Sequence, residues 1–289
     1  MMPNQESQIL EERSYSAQSR IRAPGGILPG MFRDLWRSRE LAGQLFLREI
    51  RQRYRQSVLG FLWILVPPLA TATVFVILNA RKILNIDPTD IPYPLYVLLG
   101  TLLWQIFAES VLAPLRAFDG CVAIMIKINM PREAPILTGL AQVGFFAMVQ
   151  MIPALGIMLW SGVTFTWSML LAPVAMLMLM LLGTAIGLFL VPLGGLYRDV
   201  SEGSSMALKV IFFLTPVVYP APTSWPWSLL ATLNPIVPLL QGARDLMAKG
   251  AMQDPVSFWI TSALTLALLA VALLFYRLAT PLVLERMGA

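Results

Sequence analysis

Between Gln56 and Ala80 the chain carries no charged residue, and the segment that leads into this run holds Arg48, Arg51, Arg53 and Arg55. A helix rises about 1.5 Å per residue, so roughly 20 apolar residues cross a hydrocarbon layer of about 30 Å. Arginines abutting such a run belong at the lipid phosphates, where their charge is solvated. The chain is therefore committed to a membrane before any other feature is considered.

Composition extends that constraint to the whole chain. Of 289 residues, 57% are hydrophobic and only 13% charged, and the mean hydropathy is +0.70, values of a polytopic membrane protein with no room for a second soluble domain. There is no histidine, and Cys121 is the single cysteine. Neither a disulfide framework nor a His/Cys metal site can be built within one chain, and Ser-His or Cys-His hydrolase chemistry is excluded. The net charge of +5 is read from its distribution around the spans, not as a nucleic-acid signal. The first apolar run starts near residue 58 and is too long for a cleavable signal, so none is expected.

Taken in order, residues 1–33 read as a disordered cytosolic tail, with Pro24-Gly25-Gly26 and Pro29-Gly30 near its end. Residues 34–57 read as an amphipathic interfacial helix, with Leu47, Ile50, Tyr54 and Val58 on one stripe and Arg48, Arg51 and Arg55 on the next. Residues 58–289 then form the membrane domain. Spans are expected over 58–80, 93–115, two more within the uncharged stretch 134–197, one over 203–219 and one over 255–276. Ser161-Gly162-Val163-Thr164 is the natural turn dividing the long stretch. Around 220–250, Pro220, Pro222, Pro226, Pro235 and Pro238 interrupt an apolar segment, which predicts re-entrant half-helices. The fold class is all-α, with six transmembrane helices.

Six spans put both termini on one side. With the termini in the cytosol, that side receives 17 of the 21 basic residues: ten before the first span, three between the second and third, two around the start of the fifth (Arg198 ahead of it and Lys209 within it), and two in the tail. The positive-inside rule therefore places the termini in the cytosol. Two charged loops, 116–134 and the one at Arg198-Asp199, then face the compartment that holds ATP. No Gly-Lys pair occurs anywhere, so the chain has no phosphate-cradling P-loop, and any ATPase is a separate polypeptide.

Three ordered stretches carry a resemblance. Phe46-Leu47-Arg48-Glu49-Ile50-Arg51-Gln52-Arg53-Tyr54-Arg55-Gln56-Ser57-Val58-Leu59-Gly60-Phe61-Leu62-Trp63, followed by Pro67-Pro68-Leu69, is the first. The others are Lys127-Ile128-Asn129-Met130-Pro131-Arg132-Glu133, and Tyr197-Arg198-Asp199-Val200 leading to Phe212-Phe213-Leu214-Thr215-Pro216-Val217-Val218-Tyr219-Pro220. Asn234-Pro235 with Gly242-Ala243-Arg244 adds a fourth. From about residue 40 to the end, the chain resembles the transmembrane subunits of type-2 ABC transporters that export polysaccharides such as O-antigen, teichoic acid and capsule. Met130 departs from that pattern, which has an aromatic before Pro-Arg. The resemblance implies a homodimer with two cytosolic ABC ATPase subunits that bind ATP and magnesium, moving an undecaprenyl-diphosphate-linked glycan across the bacterial cytoplasmic (inner) membrane. It implies no cofactor and no catalytic residue in this chain.

By the same resemblance, Lys127, Met130, Pro131, Arg132 and Glu133 belong to a helix that couples to the ATPase, a role suited to a short segment mixing apolar and charged side chains; the plain alternative is a solvated loop. Arg48, Arg51, Arg53 and Arg55 can clamp a lipid diphosphate through forked donors, contact the ATPase, or simply anchor the helix. Trp63, Phe75, Tyr96, Trp104, Phe107, Phe213 and Tyr219 are candidates for a channel wall on which sugar rings slide, against the ordinary role of aromatics at the interface and lipid face. Glu109, within the second span, is a functional candidate by depth or a partner for Arg116. Arg198 and Asp199 complete the candidates, and no metal site is expected. Two other readings share much of this pattern: an ABC exporter of lipids or hydrophobic small molecules, and a membrane enzyme acting on polyprenyl-phosphates. The enzyme would need clustered acids or histidines, and the chain offers only scattered pairs.

Overall fold

A computed structural model describes residues 27–55, 60–84, 86–127, 133–197, 199–222 and 224–288. The helices in order are α1 (Ile27–Tyr54), α2 (Val66–Ala80), α3 (Tyr93–Lys127), α4 (Ala134–Trp160), α5 (Ala172–Leu196), α6 (Asp199–Leu214), α7 (Trp227–Leu233), α8 (Ile236–Lys249) and α9 (Pro255–Gly288). Short 3-10 turns, Gly60–Ile64 and Trp167–Leu171, lead into α2 and α5. The described chain is all-helical, and four of its segments are long and apolar enough to cross a membrane: Tyr93–Met125, Ala134–Trp160, Trp167–Leu196 and Pro255–Met287.

The other two expected spans are shorter, for reasons visible in the sequence. α2 has 15 residues, because Pro67-Pro68 starts a helix at Val66 and the residues before it wind as a 3-10 turn. α6 has 16 residues and stops at Leu214, since Pro216 disfavours helix at the residue before it. Elsewhere helices outrun the expectation. The segment 116–134, expected as a loop, continues α3 as far as Lys127, and the expected tail after Tyr276 is helical to Gly288. Residues 115–127 hold no proline, and Pro114 and Pro281 are accommodated within α3 and α9. Lys209, counted with the cytosolic charges, lies inside α6. α1 begins at Ile27, inside the segment expected to be a disordered tail; residues 1–26 lie outside the described part.

α3 is the axis. Its apolar stretch is mostly buried, whereas those of α4 and α9 are mostly exposed. Two apolar clusters form along it. One gathers Leu95, Leu99, Leu103 and Phe107 of α3 with Leu179 of α5 and Leu239 and Leu240 of α8. The other gathers Leu115, Phe118 and Cys121 with Leu45 of α1, Ala134 of α4, Leu188 of α5 and Tyr276 of α9. The second cluster defines a basic end of the bundle, around Arg116, Lys127 and Arg277. There α1 lies on α4 through Ser38, Ala42 and Leu45, with the Phe46 and Phe145 rings 6.1 Å apart. Leu47, assigned to its apolar stripe, is exposed on another face.

Close contact between α3 and α5 depends on absent side chains. A Cβ at Gly183 would sit 2.7 Å from Phe107 O, and one at Gly187 would collide with Val111 O and lie 3.0 Å from Pro114 Cγ. The Gly183-x-x-x-Gly187 pattern is thus used within the protomer.

At the opposite end, the chain between α6 and α7 leaves the helix while still enclosed: Thr215, Val217 and Val218 are buried. Backbone that is neither helical nor solvated must find partners, and here it does. Arg244 Nη2 of α8 donates to Val217 O at 2.7 Å and to Pro216 O at 3.4 Å. Tyr93 and Tyr96 of α3 donate their hydroxyls to Val218 O at 3.2 Å and Tyr219 O at 3.0 Å. Asn234 Nδ2 donates to Thr215 Oγ1 at 2.9 Å, while its Oδ1 accepts from the Ile236 amide at 3.0 Å and begins α8. The guanidinium lies 3.8 Å over the Tyr96 ring, and Gly100 has no side chain where a Cβ would strike both Val217 O and the guanidinium.

Two stability predictions follow from these contacts. Gly187→Leu should cost about 3 kcal/mol or prevent folding by forcing α3 from α5, while Gly144→Ala, which meets open space, should leave the midpoint of thermal unfolding in detergent unchanged. Arg244→Met should lower that midpoint by an amount equivalent to about 3 kcal/mol, because two buried carbonyls lose their donor. Arg244→Lys should recover only part of the loss, since a point charge does not replace a planar fork.

Candidate functional site

Charged side chains sort into those paired inside the bundle and those left facing out. Glu109 and Arg116 of α3 are ion-paired, and Gln105 Nε2 donates to Glu109 Oε1 at 3.4 Å. At 1.5 Å per residue Arg116 lies about 35 Å along α3 from Tyr93, beyond a hydrocarbon layer of about 30 Å. Its guanidinium neutralises a carboxylate two turns back along the helix that would otherwise be costly. Glu133 is buried just before α4, with Oε1 3.7 Å from Nε of Arg277 on α9. This is an internal tie between α4 and α9 at the basic end. Glu49 of α1 accepts from Nε2 of Gln142 on α4. At the opposite end Lys249 Nζ lies 3.0 Å from Asp90 Oδ2 and 3.3 Å from Asp245 Oδ1. The Lys249 ammonium and the Gln253 amide together hold the Asp90 carboxyl below its usual range.

Arg48, Arg51 and Arg55 are exposed on α1. With Gln44, Leu47 and Gln52 they line a concavity of about 760 Å³. Such a surface of guanidinium forks and amides suits an anion with several oxygens. Next to it, Glu49, Ile50, Gln52, Arg116, Gln142 and Phe146 line a smaller cavity of about 240 Å³, with Gln52 common to both. The basic face of α1 therefore runs toward the end of α3. Arg53 lies within α1 and Lys127 ends α3. Met130, Pro131, Arg132 and Arg198 lie outside the described residues.

The aromatic candidates divide by burial. Trp104 and Phe107 are 6% and 1% exposed, so they fill the core and form no surface within the protomer. Their rings are 5.4 Å apart, and Trp104 lies 5.6 Å from Phe212. Phe75 of α2 is partly buried and lies 6.5 Å from Phe212 of α6. Tyr96 is held by Tyr219 O and Arg244, and the Tyr219 hydroxyl donates to Phe213 O at 2.6 Å. Trp63 and Phe213 are 55% and 63% exposed.

α2 and α6 stand out by how little they bury. Only Pro68 and Ala72 are buried on α2, and only Leu208 on α6. The exposed stripe of α6 contains Glu202, Met206, Lys209, Val210 and Phe213, residues that share one helical face by their spacing. Asp199 opens α6 and with Glu202 forms its acidic first turn, a favourable position for negative charge.

Two residues were missed in reading the sequence. Arg244 was noticed only as part of a motif, although a buried arginine following a proline-rich segment is a signal that broken backbone needs a donor. Lys209 was counted only with the cytosolic charges, although it stands inside the expected span 203–219.

Over residues 40–248, well over half of the chain, the sequence matches the ABC-2 type transporter family. The O-antigen export system permease protein RfbA of Myxococcus xanthus is 28% identical over 246 residues, which cover 83% of this chain and 92% of that protein. A protein of the same name from Klebsiella pneumoniae is 22% identical over 213 residues, covering 71% and 79% of the two chains. The polysialic acid transport protein KpsM of Escherichia coli is 26% identical over 250 residues, covering 81% and 91%. The long apolar helices, the broken segment after α6 and the extent of this match agree: the chain belongs to the ABC-2 type transporter family.

Proposed function

We propose that this chain is the permease subunit of a polysaccharide exporter, moving an undecaprenyl-diphosphate-linked glycan such as an O-antigen or capsular polymer out across the bacterial cytoplasmic membrane. The relatives named for O-antigen export and polysialic acid transport support the glycan class. The observation that carries the reading is the pair of sparsely buried helices, α2 and α6, which touch through the Phe75 and Phe212 rings. Their open faces are the wall of the export path, completed by a second copy of the chain.

On this reading the chain crosses six times. The 3-10 turn Gly60–Ile64 adds about 10 Å to the roughly 22 Å of α2, close to the hydrocarbon thickness. α6 spans about 24 Å and the buried segment after Leu214 completes its crossing. The termini and the basic end are cytosolic, and α7 and α8 form the re-entrant pair between the last two spans. Residues 58–289 are the transport domain and α1 is its interfacial helix. Trp63, Phe213 and Tyr219 belong to the lining.

The chain supplies the path and performs no covalent chemistry. ATP and magnesium are bound by two copies of a separate cytosolic ATPase, which docks at the loop between α3 and α4. Lys127, Met130, Pro131 and Arg132 make that contact. Arg48, Arg51, Arg53 and Arg55 receive the diphosphate at the inner interface and carry the glycan carrier toward α2.

Two measurements test this account. In the reconstituted complex, Arg51→Gln with Arg55→Gln should raise the concentration of undecaprenyl-diphosphate-linked glycan that half-stimulates ATP hydrolysis by about tenfold or more, as two charge-assisted contacts are lost. Stimulation by a hydrophobic small molecule in place of the glycan would refute the substrate class. Lys127→Ala with Arg132→Ala should abolish surface display of the glycan while the permease remains folded in the membrane; undiminished display would remove this loop from the coupling contact.

A further inference from the structure

At the basic end of the bundle, the last turns of α5 and α9 enclose a groove. A Cβ at Gly195 would sit 2.7 Å from Val283 Cγ1, so the two helices touch there and the buried Val283 forms the floor. Leu193 and Leu196 of α5 stand on one side and Leu282 of α9 on the other, all three exposed. The space has a volume of about 530 Å³, and its lining is apolar except for Glu285 and Arg286. That volume is in the range of pockets that hold a small ligand, about 300–1,000 Å³.

Both helices are long and apolar enough to cross a membrane, and the charges at their ends are informative. α5 belongs to a stretch, 134–197, without a charged residue. Between Pro255 and Leu284, α9 carries the single charge Arg277, which is turned inward onto Glu133. The outward face of Phe275, Leu278 and Leu282 is therefore apolar as far as Glu285 and Arg286. Both of these are exposed, and among the described residues neither forms an ion pair. Arg286 stands where a helix C-terminus favours a cation. A carboxylate in the same turn is opposed by the helix dipole, so Glu285 has no local reason for its place, and a cation from outside would offset the cost.

We propose that this groove binds a zwitterionic phospholipid bearing a primary ammonium, such as phosphatidylethanolamine. An acyl chain lies against Leu193, Leu196 and Leu282, the Arg286 guanidinium donates to the phosphoryl oxygens, and Glu285 accepts from the ammonium. Charge complementarity selects the lipid class. An anionic lipid would satisfy the arginine and be repelled by Glu285, and a quaternary ammonium would keep the charge but offer no N–H to the carboxylate. Because both charged groups are exposed, each contributes modestly, and burial of the acyl chain supplies most of the affinity. The proposal does not depend on what the chain exports.

The test places the full-length permease in phosphatidylcholine nanodiscs with a trace of a lipid whose acyl chain carries a diazirine. Three such probes differ only in headgroup: ethanolamine, choline and glycerol. After illumination the labelled peptides are located by mass spectrometry. Labelling by the ethanolamine probe should concentrate on 192–196 and 279–286, above the level on α4 around the exposed Met148 and Ile152. It should exceed labelling of the same residues by the choline and glycerol probes about fivefold. Glu285→Gln should abolish the preference for ethanolamine over choline and Glu285→Asp should keep it, while Arg286→Gln should lower labelling by all three probes. Since both side chains are exposed, none of these variants should move the midpoint of thermal unfolding in detergent.

Labelling spread evenly over α4, α5 and α9 would mean bulk lipid contact only and would refute the site. Equal labelling of the groove by the three probes, or a preference that survives Glu285→Gln, would overturn the headgroup assignment and the proposal with it. A glycerol probe that labels best would give the groove to an anionic lipid, with the same consequence. Absence of label from the groove would also overturn the proposal, and Leu282→Cys forming a disulfide between two copies of the chain would then identify a protein interface in its place.

Discussion

The interaction on which this architecture depends is the grip of Arg244 on the carbonyls of Pro216 and Val217. Pro216 stops α6 before the segment has emerged from the packed interior, and carbonyls exposed there have no water to turn to. A guanidinium presents several donors in one plane, so one side chain from α8 serves two consecutive carbonyls, and the hydroxyls of Tyr93 and Tyr96 serve the next two. The charge that makes these bonds strong needs solvation of its own. It receives it from the carbonyl dipoles and the Tyr96 ring. α3, the end of α6 and α8 are thereby locked at one point, and Gly100 is the gap in α3 that lets them meet.

From that point the division of labour among the charges can be understood. Glu109 with Arg116, Glu133 with Arg277, and Asp90 and Asp245 with Lys249 are satisfied within the protomer. A shielded pair such as Glu133 with Arg277 contributes little net stability but is costly to break, so it holds helices in register. Arg48, Arg51 and Arg55 of α1 and Lys209 of α6 are exposed instead. The placement of the three arginines is not required by packing, which is why they carry the functional argument.

Much of this was legible in the sequence. The four long spans followed from uncharged runs, the division of 134–197 from Ser161-Gly162, and the proline-rich segment after Tyr219 from its composition. The errors have local causes. Span limits set by charge fail for α3 and α9, because a helix ends where backbone geometry ends it and charged residues such as Arg116 and Arg277 sit readily on its solvated turns. Burial of Trp104 and Phe107 was not legible, since an aromatic at membrane depth looks the same whether it faces lipid, water or core. The role of Glu133 depended on Arg277, 144 positions away, and only the fold brings them together. Arg244 was hidden for the same reason: the sequence marks the broken backbone and the arginine separately, and contact between them is a tertiary fact.

A transport path imposes two demands that conflict within one bundle. Helices that must stay put need extensive contact, and α3, α5 and α9 have it, with Gly183 and Gly187 drawing α5 onto α3 until backbone meets side chain. Helices that border water need a face left uncovered, and they forgo the stabilisation that burial would give them. On the proposed reading α2 and α6 are the two that forgo it, and proline bounds both, Pro67 and Pro68 at the start of α2 and Pro216 just after α6. A short helix backed by a 3-10 turn or a pinned loop leaves less uncovered backbone to stabilise than a full span would. The cut made by Pro216 therefore serves the open face of α6, provided that Arg244 supplies from α8 the hydrogen bonds that the missing helical turns would have made.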